Sequence, residues 1–273
     1  MSVSFYHGVV AIACVFPVAF FVFRTEMRVD YVPTSSFWGS LILSVIGPIT
    51  WVFIQLSGSW HAGISTALWV SVATTLSLFA MLAWSMKSAW RLTPLLAPYM
   101  ILMGILAILA QLITVTHASD AVKVGADAWL IFHIVVSVAT YALVTIAAVS
   151  SLAAFIQDRA LKSKRPTTLT HKLPSVSDCE SLTVHLLGWG EAILGLGVLS
   201  GMAAEYEKVG TLLALDHKSV FSILAFVVIG SLLFAHHKTG MRGRRAARVV
   251  LLGYLLLTLG YLGVKVVTDL ILA

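Results

Sequence analysis

The chain has 273 residues, of which 59% are hydrophobic and only 11% charged, against roughly 25% charged in an average soluble domain. That balance excludes a soluble globular fold and places the protein in a membrane. The net charge of +6 comes from basic residues scattered between apolar runs, without the soluble domain or interleaved aromatics of a nucleic-acid binder, so anionic membrane lipid is the partner they imply.

A bilayer core takes about 20 apolar residues per helix, and eight runs reach that length, near 5–23, 37–56, 64–86, 95–115, 127–157, 179–204, 217–236 and 246–272. Lipid offers the backbone no hydrogen-bond partners, so only helices or closed barrels cross it. These runs are too long and too evenly apolar for barrel strands. The expected fold is an all-α polytopic membrane helix bundle forming one domain over 1–273. No basic residue precedes the first run, and Arg24 and Arg28 follow it, so it reads as a retained helix rather than a cleaved signal. The breaks at 24–36, 87–94, 158–178 and 237–248 hold fourteen of the eighteen Lys and Arg residues. Basic residues concentrate in cytoplasmic loops, which puts both termini outside.

Cys14 in the first run and Cys179 at the start of the sixth fall at different depths, and no C-x-x-C or C-x-x-C-H occurs. Dithiol exchange and covalent haem attachment are thereby excluded. The stretch 158–178 is the one linker, and at its end Ser177 and Glu180 have the spacing of a capping box. The sixth run holds a glycine row ending in GVLSG, 197–201, a small-xxx-small pattern that implies close helix packing. Within it Glu191 is a mid-membrane carboxyl that must be neutralised, paired or placed on a path. In the eighth run Lys265 and Asp269 stand i, i+4 and read as an ion pair near a helix end.

Nine histidines are present. His7, His61 and His117 read as loop residues, and His171, His236 and His237 as part of a solvated basic edge beside Lys172 and Lys238. His185 lies one to two turns into the sixth run. His133 lies deeper, in AWLIFHIVVSVATYAL, and at 100° per residue it shares a polar stripe with Ser137, Thr140 and Tyr141. Such a stripe faces a bundle interior or a cavity. His217 opens the seventh run between Asp216 and Lys218. Two imidazoles at similar depth on different helices are able to share a haem iron, and are equally able to be hydrogen-bonded structural groups.

The stretch FHIVVSVATYALVTIAAVSSLAAFIQDRALK, 132–162, resembles the His-led helix of the cytochrome c assembly family of membrane proteins (the CcsA/CcmC/HemX type), with the form H-x₇-Y-A. LPSVSDCESLTVHLLGWGEAILGLGVLSGMAAE, 173–205, is similar to the family's next helix. The stretch 214–267 is similar to its last two, most closely in the HemX/YpjD-like branch. The resemblance covers about 95–270 and implies non-covalent b-type haem, cytochrome c assembly, apocytochrome c or other assembly proteins as partners, and a bacterial-type inner membrane. His133 matches the first of the family's outer histidine ligands. The family's tryptophan-rich outer segment is represented by EYEKVGTLLALDHKS, which contains no tryptophan, and of its Trp-Asp pair only Asp216 remains.

The reading is thus a haem-binding or haem-handling protein that presents haem at the outer face without bond-making chemistry of its own. His133 and the displaced His217 are its expected ligands, with Tyr141, Asp216, Lys218, Glu191 and His185 as secondary candidates. Two alternatives stand beside it: a non-haem regulatory or scaffold protein of the HemX type, and a small-molecule transporter built around Glu191.

Overall fold

The computed structural model describes residues 3–25, 32–56, 63–86, 88–114, 128–209 and 217–267. All regular structure among them is helical, and eight helices are long and apolar enough to cross a bilayer. The protein is a multi-pass membrane helix bundle. In chain order the elements are α1 (Val3–Ala13), α2 (Phe16–Arg24), α3 (Ser35–Leu56), α4 (Ile64–Ser85), a 3₁₀ turn (Ala89–Leu92), α5 (Thr93–Thr114), α6 (Ala128–Ser163), α7 (Thr168–Lys172), α8 (Val176–Val209), α9 (His217–Thr239) and α10 (Gly243–Thr258). The last helix continues through a π-helical turn, Leu259–Gly263, into α11 (Val264–Val266).

The first span is two helices rather than one. Pro17 lacks an N–H and cannot continue the α-helical ladder, so the chain tightens at Cys14–Val15, where Val15 N–H bonds to the Ile12 carbonyl three residues back at 2.9 Å. The linker holds a helix that the apolar pattern did not signal, the five-residue α7, closed by a reciprocal Thr167/Thr170 capping box.

The cap expected at Ser177 and Glu180 is corrected. Ser175, directly after Pro174, accepts the backbone N–H of Asp178 at 3.1 Å and so starts α8 two residues earlier. Glu180 instead accepts the backbone N–H of Gly243 at 2.8 Å, across to the first residue of α10. Gly243 has φ +67°, a conformation that glycine takes without strain, and this aims its N–H at the carboxylate.

Packing places α6 at the centre. It runs against α4 on the N-terminal side and against α8 and α10 on the other, and its residues Ala142, Val144, Ile146, Ala147 and Ala153 are fully buried. The two sides are also joined by hydroxyls. Tyr99 of α5 hydrogen-bonds Tyr254 of α10, whose hydroxyl lies 3.2 Å from that of Tyr141 on α6.

The described residues of the breaks rich in Lys and Arg gather at one end of the bundle. The Lys172 ammonium donates to the Val22 and Phe23 carbonyls at 2.8 Å each, Gln157 donates to the Thr170 and Pro174 carbonyls at 2.8 and 3.1 Å, and Arg244 stacks over Phe155. Cys14 and Cys179 are free thiols.

Tyr254→Phe removes the middle hydroxyl of the tyrosine chain and leaves two phenols short of a partner, at a cost of about 1–3 kcal/mol. Thermal unfolding in detergent should show a lower midpoint for this variant than for a Phe substitution at the exposed Tyr206.

Candidate functional site

His133 stands five residues into α6, so about 8 Å along its axis at 1.5 Å per residue. The polar stripe predicted on this helix comes together as one wall of a cavity of about 300 Å³: His133, Ser137, Thr140 and Tyr141 all line it. From α8 come Leu194, Gly197, Val198, Gly201, Met202 and Glu205. Ser219, Ser222 and Ile223 of α9 form a further side, and Leu257, Gly260 and Tyr261 of the last helix complete the enclosure. The eight steps along α6 from His133 to Tyr141 give the cavity a depth of about 12 Å. Its volume is at the lower end for small-molecule sites.

The imidazole is fixed by α8. His133 Nδ1 lies 2.9 Å from Ser200 Oγ, and the Ser200 hydroxyl donates to the Gly197 carbonyl at 2.9 Å. Trp129, at the start of α6, donates its indole N–H to the Ser200 carbonyl at 3.1 Å. A Cβ on Gly201 would come within 3.1 Å of His133 Cε1, so the ring lies directly on the α8 backbone. The row GVLSG, expected to pack helices, thus also seats the histidine.

The other candidates are dispersed. His217 is the first residue of α9, two before the cavity-lining Ser219; it is exposed and does not line the cavity. Asp216 lies outside the described residues, as does the side chain of Lys218. His185 is exposed and donates from Nδ1 to the Ser181 carbonyl at 2.7 Å, one turn back on its own helix.

Glu191 is apart from the cavity, between α8 and α9. Its Oε2 is buried with no hydrogen-bond partner among the described residues, and Oε1 lies where a Cβ on Gly230 would approach to 2.9 Å. His61, His117 and Asp269 are outside the described residues.

Sequence reasoning missed Ser200, Gly201, Glu205, Ser219, Ser222 and Tyr261. Ser200 and Gly201 had a signal, since they end the row whose first glycine, Gly197, lines the cavity. The others follow from the packing of α8, α9 and the last helix.

The model of one family, cytochrome C assembly protein, matches residues 58–272, most of the chain and every wall of the cavity. The protein belongs to the cytochrome c assembly family. It is 54% identical over 237 residues, 86% of either chain, to an uncharacterized 28.8 kDa protein of Azospirillum brasilense. It is 28% identical over 189 residues, 68% of either chain, to the inner membrane protein YpjD of Escherichia coli K12. It is also 26% identical over 175 residues to the cytochrome c biogenesis protein CcsA of Chlamydomonas reinhardtii, covering 64% of this chain and 48% of that one. The chain therefore spans about half the length of this CcsA relative. No solved structure matches.

Gly230→Ala tests the Glu191 contact. The added methyl meets only the far end of the flexible Glu191 side chain, which turns aside, so the substitution should change stability by no more than about 1 kcal/mol, the helix propensity gained by Ala over Gly set against the displaced carboxylate. Any cost of that displacement should vanish in a Glu191→Ala background, which a double-mutant cycle of thermal unfolding measures.

Proposed function

We propose that the protein handles haem in cytochrome c biogenesis, holding b-type haem non-covalently in the cavity with His133 as an iron ligand. The observation that carries this reading is the His133 imidazole, held by α8, on the wall of a cavity within a membrane bundle.

The residues present fit the group. Imidazole nitrogen is a haem ligand, Leu194, Val198, Met202, Ile223 and Leu257 offer apolar walls to a macrocycle, and Ser137, Ser219 and Ser222 offer hydroxyls to its carboxylates. Bound there, haem supplies the redox chemistry of its iron, and the chain supplies the site. His217, exposed at the start of α9 two residues before the cavity-lining Ser219, would be the chain's second iron ligand. No bond-making step is assigned to the chain itself.

The relatives' names, CcsA for cytochrome c biogenesis and YpjD for the inner membrane, support assembly at a bacterial-type inner membrane with apocytochrome c or other assembly proteins as partners. Haem is presented at the end opposite the basic one, and both termini lie on that outer side.

One observation favours a second reading, a non-haem scaffold. Ser200 already satisfies one ring nitrogen of His133, as it would for a purely structural histidine. The transporter reading loses ground because Glu191 is not part of the cavity.

An absorption spectrum separates the two. Purified protein from haem-replete cells should show a Soret band, which His133→Ala and His217→Ala each diminish and added imidazole partly restores. A protein that remains colourless on haem titration leaves the scaffold.

Orientation has its own test. Thr168 is exposed at the basic end, and in a chain lacking Cys14 and Cys179 a Thr168→Cys substitution should react with an impermeant thiol reagent only after the cells are opened. Labelling in intact cells would invert the orientation.

A further inference from the structure

A serine hydroxyl has one proton to give and lone pairs with which to accept. In Ser200 that proton is directed at the Gly197 carbonyl, 2.9 Å away on the same helix. The oxygen that faces His133 Nδ1 at 2.9 Å is therefore left only to accept.

We propose that Ser200 is the positioning residue of His133: it takes the Nδ1–H bond, fixes the neutral ring as the Nδ1–H tautomer, and leaves a bare lone pair on Nε2. The proposal rests on the haem reading of the cavity for its purpose, and on hydrogen-bond bookkeeping for its content. In the opposite arrangement Ser200 would turn its proton to Nδ1 and the Gly197 carbonyl would lose that bond. The ring proton would then sit on Nε2, the nitrogen that does not face Ser200. Among Ser200, His133 and the Gly197 carbonyl the first arrangement makes two hydrogen bonds and the second makes one.

The ring is also kept from turning. Gly201 brings the α8 backbone against Cε1, so closely that a Cβ there would stand 3.1 Å away. The Trp129 indole holds the Ser200 carbonyl at 3.1 Å and so ties the start of α6 to this same turn of α8. An imidazole that gives one nitrogen's proton to an acceptor and keeps the other nitrogen bare is the arrangement shared by metal-ligating histidines. The class of ligand it takes is a Lewis-acidic metal centre, here the haem iron.

Nitrogen-15 NMR of histidine-labelled, haem-free protein in detergent reads the tautomer without any cofactor. The resonances that disappear in His133→Ala should be those of a protonated Nδ1 and a bare Nε2. They should shift toward the Nε2–H form in Ser200→Ala and persist in Ser200→Thr, which keeps the hydroxyl. Wild-type protein with the His133 proton on Nε2 overturns the proposal, whatever the variants do. Haem titration supplies the second readout: Ser200→Ala should bind haem about 10–100-fold more weakly, with Ser200→Thr close to wild type. Equal affinity of wild type and Ser200→Ala overturns the positioning role. Absence of haem uptake in wild type, with the Nδ1–H tautomer in place, overturns the haem reading and upholds the tautomer.

Discussion

Hydrocarbon gives a polar group nothing to bond to, and the bundle is arranged by where each such group finds its partner. Most hydroxyls on the spans turn back to their own helix, as Ser71 does to Ala67, Ser77 to Ala73 and Thr145 to Tyr141. Those bonds satisfy the hydroxyl and fix nothing between helices. Helix register is set by the bonds that cross, among them Ser150 to the Cys179 carbonyl, the tyrosine hydroxyls of α5, α6 and α10, and His133 to Ser200. Three of them radiate from α6, which explains why a helix whose middle is lined with alanine and valine has a defined rotation in its place.

The same scarcity explains how much of the fold was legible. Spans are read from length and hydropathy because the bilayer fixes both, and all eight are found near their expected positions. Ends of helices follow other rules. Ser177 and Glu180 have the spacing of a cap, yet Ser175 makes it, because Pro174 cannot sit inside the helix and the chain begins to coil right after it. Five-residue α7 is too short to show an apolar period. The split in the first span follows from Pro17, and the sequence alone reads the run as one helix because its hydropathy is continuous.

At the site, one half was visible and one was not. His133, Ser137, Thr140 and Tyr141 share a face by helical geometry alone, and that face is the cavity wall. What meets it depends on α8, α9 and the last helix, and no spacing along α6 reports their approach. Ser200 and Gly201 had been visible as small residues suited to packing. Their service to the imidazole comes from the depth at which α8 crosses α6, which is a tertiary fact. The membership of the chain in the cytochrome c assembly family rests on residues 58–272, which include every wall of this cavity.

One bond ties the two ends of the N-terminal half together in time as well as in space. Lys172 places its ammonium on the last carbonyls of α2, where the helix dipole is negative, and it is 150 residues from Val22 in the chain. A ribosome has released the first four spans before it adds this lysine. The first span therefore enters the bilayer with its carbonyl end uncapped and acquires its cation only when the linker emerges, so the seating of the earliest helix belongs among the later events of assembly.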